Sequence, residues 1–396
     1  MSGRAPEPVE LPIVVTGAGV VTAAARGRAA FAAALAKAGE SPRTHPSGES
    51  PRTHPSGESP RTRIEGFDVA SLPEAKSLRR ATPHALFGLA AAAEALQEAG
   101  GGVAPEESAL LVASTLGAAN FSYRLWQELV KSGPLGASPM LFSEGVPNAL
   151  AGHAARLLRL LAAGHMIGGG NGCGLRALAV ARDLLECGRA RRALVGAAEE
   201  WSELAVRSYA RFGIVAREGA PRRAARGLQM GEGAAMLCLE RRDPEPRAAE
   251  QRDRRERAGA PALATLRAVE SVQLPSLRGA AAVDELVALF ERTFAAARVR
   301  PSDVRLLSAA NGTAADRLEA QALARLAASG SGAPRGVSRR VRELCGETFS
   351  VAPLLQVVEA LAVVAAGEPA AVLSLSPFAS ATLAVFTAPP PSERNG

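Results

Sequence analysis

Short apolar runs alternate along this chain with longer stretches in which apolar residues recur at the three-to-four-residue spacing of a helix. In the first half the pattern predicts strands over 11–17, 107–114, 192–200 and 233–242, and helices over 26–39, 148–164 and 175–188. In the second half it predicts strands over 263–272, 304–311, 369–376 and 381–388, and helices over 283–298, 316–329 and 351–367. Strand–helix alternation in two successive halves predicts an α/β fold with a duplicated architecture.

A charged segment over 241–258 separates these halves, so we predict an N-terminal half at 1–258 and a C-terminal half at 259–396. Residues 41–62 contain SPRTHPSGE twice in tandem and then SPRT again. This segment has no apolar face to bury, which predicts a flexible surface insertion. His45 and His54 lie inside the repeat, where a weak metal site is the alternative to a solvated loop.

A chain of 396 residues that is 47% apolar can bury a large core. Its formal net charge of +7 favours anionic partners such as nucleic acid, acyl-CoA phosphate groups or an acidic carrier protein. No RNA- or DNA-binding motif accompanies the arginines. A compositional preference for arginine therefore explains the charge more simply, and no nucleic-acid partner is predicted.

Three features of the chain predict a cytoplasmic protein without a membrane partner. No stretch reaches the roughly 18 uncharged apolar residues of a membrane helix. The first residues, MSGRAPEPVE, lack the apolar segment of a signal peptide. The four cysteines have no Cys-x-x-Cys spacing and suggest no disulfide framework, as expected in a reducing compartment.

The glycines of Gly17–Gly19 follow a predicted strand and precede a helix, as in a dinucleotide-binding turn. The third glycine of that motif is replaced by Thr22, and no acidic residue stands suitably about 20 positions further on. The sequence therefore predicts no nucleotide cofactor.

Six segments in the same order resemble the β-ketoacyl synthases, the condensing enzymes of fatty-acid and polyketide synthesis. They are VVTGAGVVT (14–22), VPNALAGHAA (146–155), the helix and strand over 173–200, MGEGAAMLCLE (230–240), the region 299–323 and CGETFSVAPLLQVVEAL (345–361). The resemblance implies a thiolase fold, with duplicated α-β-α-β-α layers, and a dimer in which strands pair across a two-fold axis.

The family's chemistry needs a thiolate nucleophile at a helix N-terminus and two imidazoles that assist decarboxylation and stabilise oxyanions. The segments place Asn171 at the cysteine, Ser308 or Ala309 at the first histidine, and Glu347 at the second. An amide has no thiolate form, and an ionised acid would repel a developing enolate. The resemblance thus implies that no catalytic residue is intact.

Two further positions depart from the family pattern. Arg342 stands at the family lysine, which keeps the charge but not the compact ammonium. The family's Gly-Phe-Gly-Gly turn, which shapes the oxyanion side, aligns with 376–379 and has lost its glycines. Independently of any alignment, the chain contains no histidine after His165 and no lysine after Lys131.

Other candidate residues have structural interpretations beside chemical ones. Cys173 is the alternative nucleophile, although a small residue that packs the turn is the favoured interpretation. Cys345 and Glu347 supply too few ligands for a metal, so no metal site is predicted. The remaining candidates are assigned to packing, subunit contacts or structural support: His153, His165 in the loop before Asn171, Glu232 and Glu319.

An intact scaffold with changed catalytic positions resembles the chain-length factor, the non-condensing partner of bacterial type II polyketide ketosynthases. The resemblance implies pairing with an active ketosynthase, and with acyl carrier protein, to shape the tunnel for the growing acyl chain. One alternative is a decarboxylase, hydrolase or acyltransferase that uses Asn171, Cys173 or Glu347. Another is a protein that binds acyl carrier protein through arginine patches.

Overall fold

The computed structural model describes residues 11–39, 62–213, 215, 228–242, 260–308, 314–330 and 332–390. Most of the repeat at 41–62, the predicted junction at 258/259 and Ala309 lie outside these ranges. The strands are β1 (Ile13–Thr22), β2 (Ser108–Ser114), β3 (Gly164–Gly168), β4 (Arg192–Glu199), β5 (Gly233–Arg241), β6 (Ala264–Gln273), β7 (Arg305–Ser308), β8 (Arg335–Ser338), β9 (Ala370–Leu375) and β10 (Ser380–Thr387).

Helices connect these strands in both halves. They are α1 (Arg28–Gly39), α2 (Pro83–Ala99), α3 (Ala119–Ser132), α4 (Pro139–Gly145), α5 (Ala149–Leu158), α6 (Cys173–Glu186), α7 (Glu203–Arg211), α8 (Ala280–Ala297), α9 (Ala314–Ala328), α10 (Arg340–Cys345) and α11 (Ala352–Ala365). Within the described ranges, none of them combines the length and the apolar character needed to cross a membrane.

The strands form one ten-stranded sheet in the order β3-β2-β4-β5-β1-β6-β10-β9-β7-β8. Each half contributes five neighbouring strands, and the pairs β2–β3 and β2–β4 are parallel, as are β7–β8 and β7–β9. The pairs β1–β5 and β4–β5 are antiparallel, like their counterparts β6–β10 and β9–β10. The identical pattern of strand pairing confirms the predicted duplication.

Three apolar clusters arrange the helices and the two half-sheets in five layers. The largest contains residues of α1, α6 and α11 together with one face of each half-sheet. A second packs α8 and α9 on the other face of the C-terminal half-sheet, and a third packs α2 and α5 on the other face of the N-terminal one. The fold is therefore the expected α-β-α-β-α arrangement.

The predicted helix over 148–164 is too long. Helix α5 ends at Leu158, and Arg159 takes a left-handed backbone with φ of 53°. The chain then enters β3, so His165 lies in an edge strand and not in the loop that the sequence suggested. Leu and Ala extend an apolar helical pattern past the true end of the helix, which explains the error.

Glycine at position 174 lets the two halves approach closely near the start of α6. A Cβ atom there would lie 2.1 Å from the Ser350 carbonyl oxygen, which is backbone and cannot move aside cheaply. The start of α6 and the 345–350 segment are thereby held together, and this contact positions the site described below.

We expect Gly174→Ala to lower the free energy of unfolding by about 2 kcal/mol or more, because the methyl group would overpack this contact. Gly152→Ala is the matched control, since Gly152 is also helical but its Cβ would meet nothing within 4 Å. That control should be neutral or stabilising by about 0.5–1 kcal/mol. Denaturant unfolding monitored by circular dichroism measures both, and equal stabilities would contradict the close approach.

Candidate functional site

Asn171 lies in the turn that connects β3 to helix α6. The Cys173 N–H donates to the Gly170 carbonyl at 2.9 Å, and the Arg176 N–H donates to the Gly172 carbonyl at 3.1 Å, so the turn runs directly into the helix. Asn171 is buried, with 7% of its surface exposed. Asn171 is therefore a buried side chain just before the N-terminus of α6.

Glu347 is held by backbone hydrogen bonds to a segment of the N-terminal half. Its N–H donates to the Gln229 carbonyl at 2.7 Å, and its carbonyl accepts the Gly231 N–H at 2.8 Å. These bonds form an isolated parallel bridge between Glu347 and Met230. These backbone hydrogen bonds therefore fix the position of Glu347 against the N-terminal half.

Asn171 and Glu347 are in direct contact. The Asn171 Nδ2 donates to Glu347 Oε1 at 2.9 Å, and the same oxygen accepts the Phe349 N–H at 2.8 Å. Glu347 is 3% exposed, so this carboxylate is satisfied by protein donors instead of bulk water. An amide–acid hydrogen bond thus joins the turn before α6 to the 345–350 segment.

The Ser308 hydroxyl points to a different carboxylate. It donates to Glu319 Oε2, while Arg339 donates to Glu319 Oε1 at 3.1 Å. Ser308 and Glu319 are both buried, and burial raises the pKa of Glu319. Glu319 therefore connects Ser308, at the end of β7, to Arg339 through hydrogen bonds.

Arg342 lies close to two acids near the same end of the fold. Its Nη1 is 4.0 Å from Asp316 Oδ2. Burial lowers the pKa of Arg342, and the negative charges of Asp316 and Glu347 oppose this shift. Arg342 therefore places its positive charge in the electrostatic field of Glu347.

Cys173 is buried at the first position of α6. Burial raises the pKa of its thiol to about 12, and the Glu199 carboxylate adds to the increase, while hydrogen bonds to Thr115 and Ser350 oppose it. The favourable position at a helix N-terminus does not offset these effects. Cys173 is therefore a protonated thiol at neutral pH and a poor nucleophile.

Glu199 is the buried carboxylate beside Cys173. It accepts hydrogen bonds from the Ser114 hydroxyl at 3.1 Å, the Leu116 N–H at 3.0 Å, the Thr115 N–H and the Ser350 hydroxyl. Burial raises the pKa of Glu199. Because its donors come from both halves, Glu199 is a structural link.

The N–H groups of Phe378 and Ala379 in the turn at 376–379 form hydrogen bonds within the turn. Pro377 has no N–H, the Phe378 N–H donates to Ser376 Oγ at 3.2 Å, and the Ala379 N–H donates to the Ser376 carbonyl at 3.0 Å. Ala379 keeps a left-handed backbone with φ of 57°, which glycine adopts at lower cost. The turn therefore retains the glycine conformation while its donors are used within the turn.

An apolar cluster beside the Asn171–Glu347 pair was not predicted from the sequence. It consists of Ala205, Met230 and Phe349, with the partly buried Leu116, Val206, Tyr209 and Val215 packed against them. The rings of Tyr209 and Phe349 are 5.8 Å apart, and burial with the nearby Glu347 and Glu199 carboxylates raises the pKa of Tyr209. Of these residues, only Phe349 could be placed near Glu347 from the sequence, because it lies two positions further along the chain.

The remaining candidate residues make local contacts. His153 Nε2 lies 3.0 Å from Glu144 Oε2 and links α5 to α4. Glu232 accepts the Ile64 N–H at 2.7 Å and the Trp201 N–H at 2.8 Å. Among the described residues, no group of three or more His, Cys, Asp or Glu side chains is arranged to hold a metal ion.

Comparisons with known proteins agree with this architecture. The sequence profile of the family "Beta-ketoacyl synthase, N-terminal domain" matches residues 10–245, and the chain belongs to this family, within the thiolase superfamily. No curated protein matches the chain.

Solved structures that resemble the chain include the ishigamide ketosynthase/chain length factor, at 25% identity and a TM-score of 0.72, covering 95% of this chain and 99% of that one. The AntDE:AntF structure, a type II acyl-carrier protein in complex with its ketosynthase bound to the hexaketide, gives 18% identity and a TM-score of 0.74, covering 96% and 100%. A β-ketoacyl synthase from Burkholderia phymatum gives 18% identity and a TM-score of 0.73, and the match covers 96% of this chain and 100% of that one.

We expect iodoacetamide to modify the folded protein once, at the exposed Cys187. The other three cysteines are buried, and burial raises the pKa of each thiol to about 12. Intact-mass spectrometry at pH 8 measures the number of adducts, with the denatured chain as the reference for all four cysteines. Cys187→Ser should abolish labelling, whereas an adduct at Cys173 in the folded chain would contradict this assignment.

Proposed function

We propose that this chain is a non-condensing, chain-length-factor-like subunit that pairs with an active β-ketoacyl synthase in type II polyketide or fatty-acid-like biosynthesis. In this role it shapes the tunnel that receives the growing acyl chain. The observation that carries the proposal is the buried hydrogen bond between Asn171 and Glu347 at the positions of the family's cysteine and second histidine.

The chemistry of these side chains supports a loss of condensing activity. An amide at position 171 cannot form an acyl thioester, and a carboxylate at 347 cannot act as the neutral imidazole that stabilises an enolate. The turn at 376–379 adds a further deficit, because its N–H donors are committed or absent. Restoring one residue would leave the other deficits in place.

The two edges of the sheet support a partner subunit. Edge strand β8 carries Arg335 and leads into an arginine-rich segment, a common way to prevent edge-to-edge pairing. Edge strand β3 reads GHMIG and has no lysine, arginine or proline to block an added strand. We infer that β3 is the edge that pairs with a second subunit.

Helix α3 also presents a surface suited to a protein partner. It has no fully buried residue, yet the exposed fractions of Tyr123, Trp126 and Val130 are 43%, 65% and 85%. Leu135 and Phe142, just beyond the helix, are exposed as well. Such clustering of large apolar side chains is typical of protein interaction sites.

The ketosynthase partner is favoured over the two alternatives. A catalytic role through Cys173 is opposed by its burial and raised pKa, and Glu347 already accepts two donors. Binding of acyl carrier protein fits the net charge of +7 and belongs to the same proposal, since the carrier would deliver acyl groups to the paired subunits. We place this assembly in the cytoplasm.

Co-expression with a cognate active ketosynthase tests the proposal. We expect a stable heterodimer by size exclusion and native mass spectrometry. Incubation with acyl carrier substrates should acylate the partner's cysteine and leave this chain unmodified. A monodisperse homodimer that never pairs, or an acyl adduct on this chain, would rule the function out.

We expect Trp126→Glu to weaken assembly with the partner by about tenfold or more, because it would place a charge in an apolar interface. Gln127→Glu is the matched control, since it adds the same charge to the neighbouring exposed position of the same helix. Dissociation constants from mass photometry or ultracentrifugation compare the two. Equal effects of both variants would mean that the apolar face of α3 is not in the interface.

A further inference from the structure

Asn171 is followed by glycine, and an Asn-Gly pair can modify itself without an enzyme. The glycine nitrogen, once it has lost its proton to solvent base, bonds to the asparagine Cγ. The Cγ–Nδ2 bond then breaks, and the amide leaves as ammonia with a proton from water. Water opens the five-membered succinimide to aspartate or isoaspartate. Because glycine has no side chain to crowd its nitrogen, this cyclisation is easiest at Asn-Gly.

The chain contains three such pairs, at 171–172, 311–312 and 395–396. Among them, only Asn171–Gly172 lies within the described part of the chain. Asn171 is buried there, with 7% of its surface exposed. Its environment therefore differs from that of an Asn-Gly pair in an unfolded peptide, and the structure shows how.

The fold fixes both reacting groups of this pair. The Cys173 N–H donates to the Gly170 carbonyl at 2.9 Å and closes a turn over residues 171 and 172. Gly172 has φ of −75° and ψ of −9° at the start of α6. The Asn171 Nδ2 donates to Glu347 Oε1 at 2.9 Å. Bringing the Asn171 Cγ onto the Gly172 nitrogen requires a rotation of the side chain, which this hydrogen bond resists.

The acceptor that holds Asn171 belongs to the other half of the fold. Glu347 is fixed by its backbone hydrogen bonds to Gln229 and Gly231. The same segment lies so close to α6 that a Cβ atom at Gly174 would be 2.1 Å from the Ser350 carbonyl oxygen. The Asn171 side chain is therefore free to rotate only when the contact between the two halves opens.

Deamidation would reverse the chemistry of this contact. An acid at position 171 would face the Glu347 carboxylate at hydrogen-bond distance. Two ionised carboxylates have no hydrogen to share, and their like charges repel strongly at a buried position. The modified chain could not restore the original hydrogen bond between the halves.

We propose that Asn171–Gly172 is a latent self-modification site, which the contact between the two halves keeps unreactive. When this contact opens, the pair cyclises, and the acid that forms prevents the contact from closing again. This inference concerns the isolated chain and does not rest on the proposed function.

Tryptic mapping of the chain after incubation at pH 8 tests the protection. The tryptic peptide 160–176 contains Asn171 and no other Asn or Gln, so its deamidation is read directly. In denaturant, Asn171 should deamidate as fast as Asn311, which also precedes glycine. In the folded chain we expect the rate at Asn171 to be lower by about tenfold or more, because only the open form reacts.

Glu347→Ala should raise the folded-state rate at Asn171 by about tenfold or more, because the amide loses its acceptor. Glu285→Ala is the matched control, since it removes an exposed carboxylate on α8 and should leave the rate unchanged. Equal rates in Glu347→Ala and the parent, or a parent that reacts as fast folded as denatured, would overturn the proposal. Should Glu347→Ala fail to fold, Gly174→Ala, which keeps the acid but crowds the contact, must accelerate the reaction instead.

Asn171→Asp tests the consequence of the modification. At pH 8 we expect it to raise the equilibrium constant of unfolding by about tenfold or more, because two carboxylates replace a hydrogen-bonded pair. Asn148→Asp is the matched control, since it adds the same charge at the exposed start of α5 and should leave that constant unchanged or lower it. An Asn171→Asp chain as stable as the parent would contradict the claim that the product acid keeps the contact open.

Discussion

The hydrogen bond from the Asn171 amide to the Glu347 carboxylate joins the two halves of the duplicated fold at the start of helix α6. Both residues are buried, and the same carboxylate oxygen also accepts the Phe349 N–H. A buried carboxylate without donors would be costly, and a buried amide without an acceptor would cost less but still matter. Asn171 and Glu347 thus satisfy each other in part, and Phe349 has a left-handed backbone, with φ of 50°, beside this shared acceptor.

Other buried carboxylates extend the same principle around the site. Glu199 receives donors from both halves, Glu232 fixes the chain at Ile64 and Trp201, and Glu200 caps a helix that has no cap of its own. Each carboxylate accepts backbone N–H groups from a loop or from the first turn of a helix. The region around Asn171 and Glu347 is thus organised by structural hydrogen bonds.

Much of the fold could be predicted from the sequence, because buried strands such as β1 and long helices such as α11 have clear periodicity. Edge strand β3 could not, since GHMIG is short and follows an apolar helical pattern without a break. Proximity of Asn171 to Glu347 followed only from the family resemblance, as they are 176 positions apart. The contacts of Tyr209 and Glu200 left no sequence signal, because they depend on how helices pack after the sheet has formed.

The polar groups around Asn171 and Glu347 satisfy one another. A catalytic site that had merely decayed would leave polar groups of the old machinery without partners, at a cost of about 1–3 kcal/mol each. Here the Asn171 side-chain amide and the Phe349 N–H both donate to the Glu347 carboxylate. The N–H groups of Phe378 and Ala379 form hydrogen bonds within the 376–379 turn. Reactive sites commonly sacrifice stability for function. The Asn171–Glu347 region instead has its buried donors and acceptors paired, which favours a stable contact between the two halves.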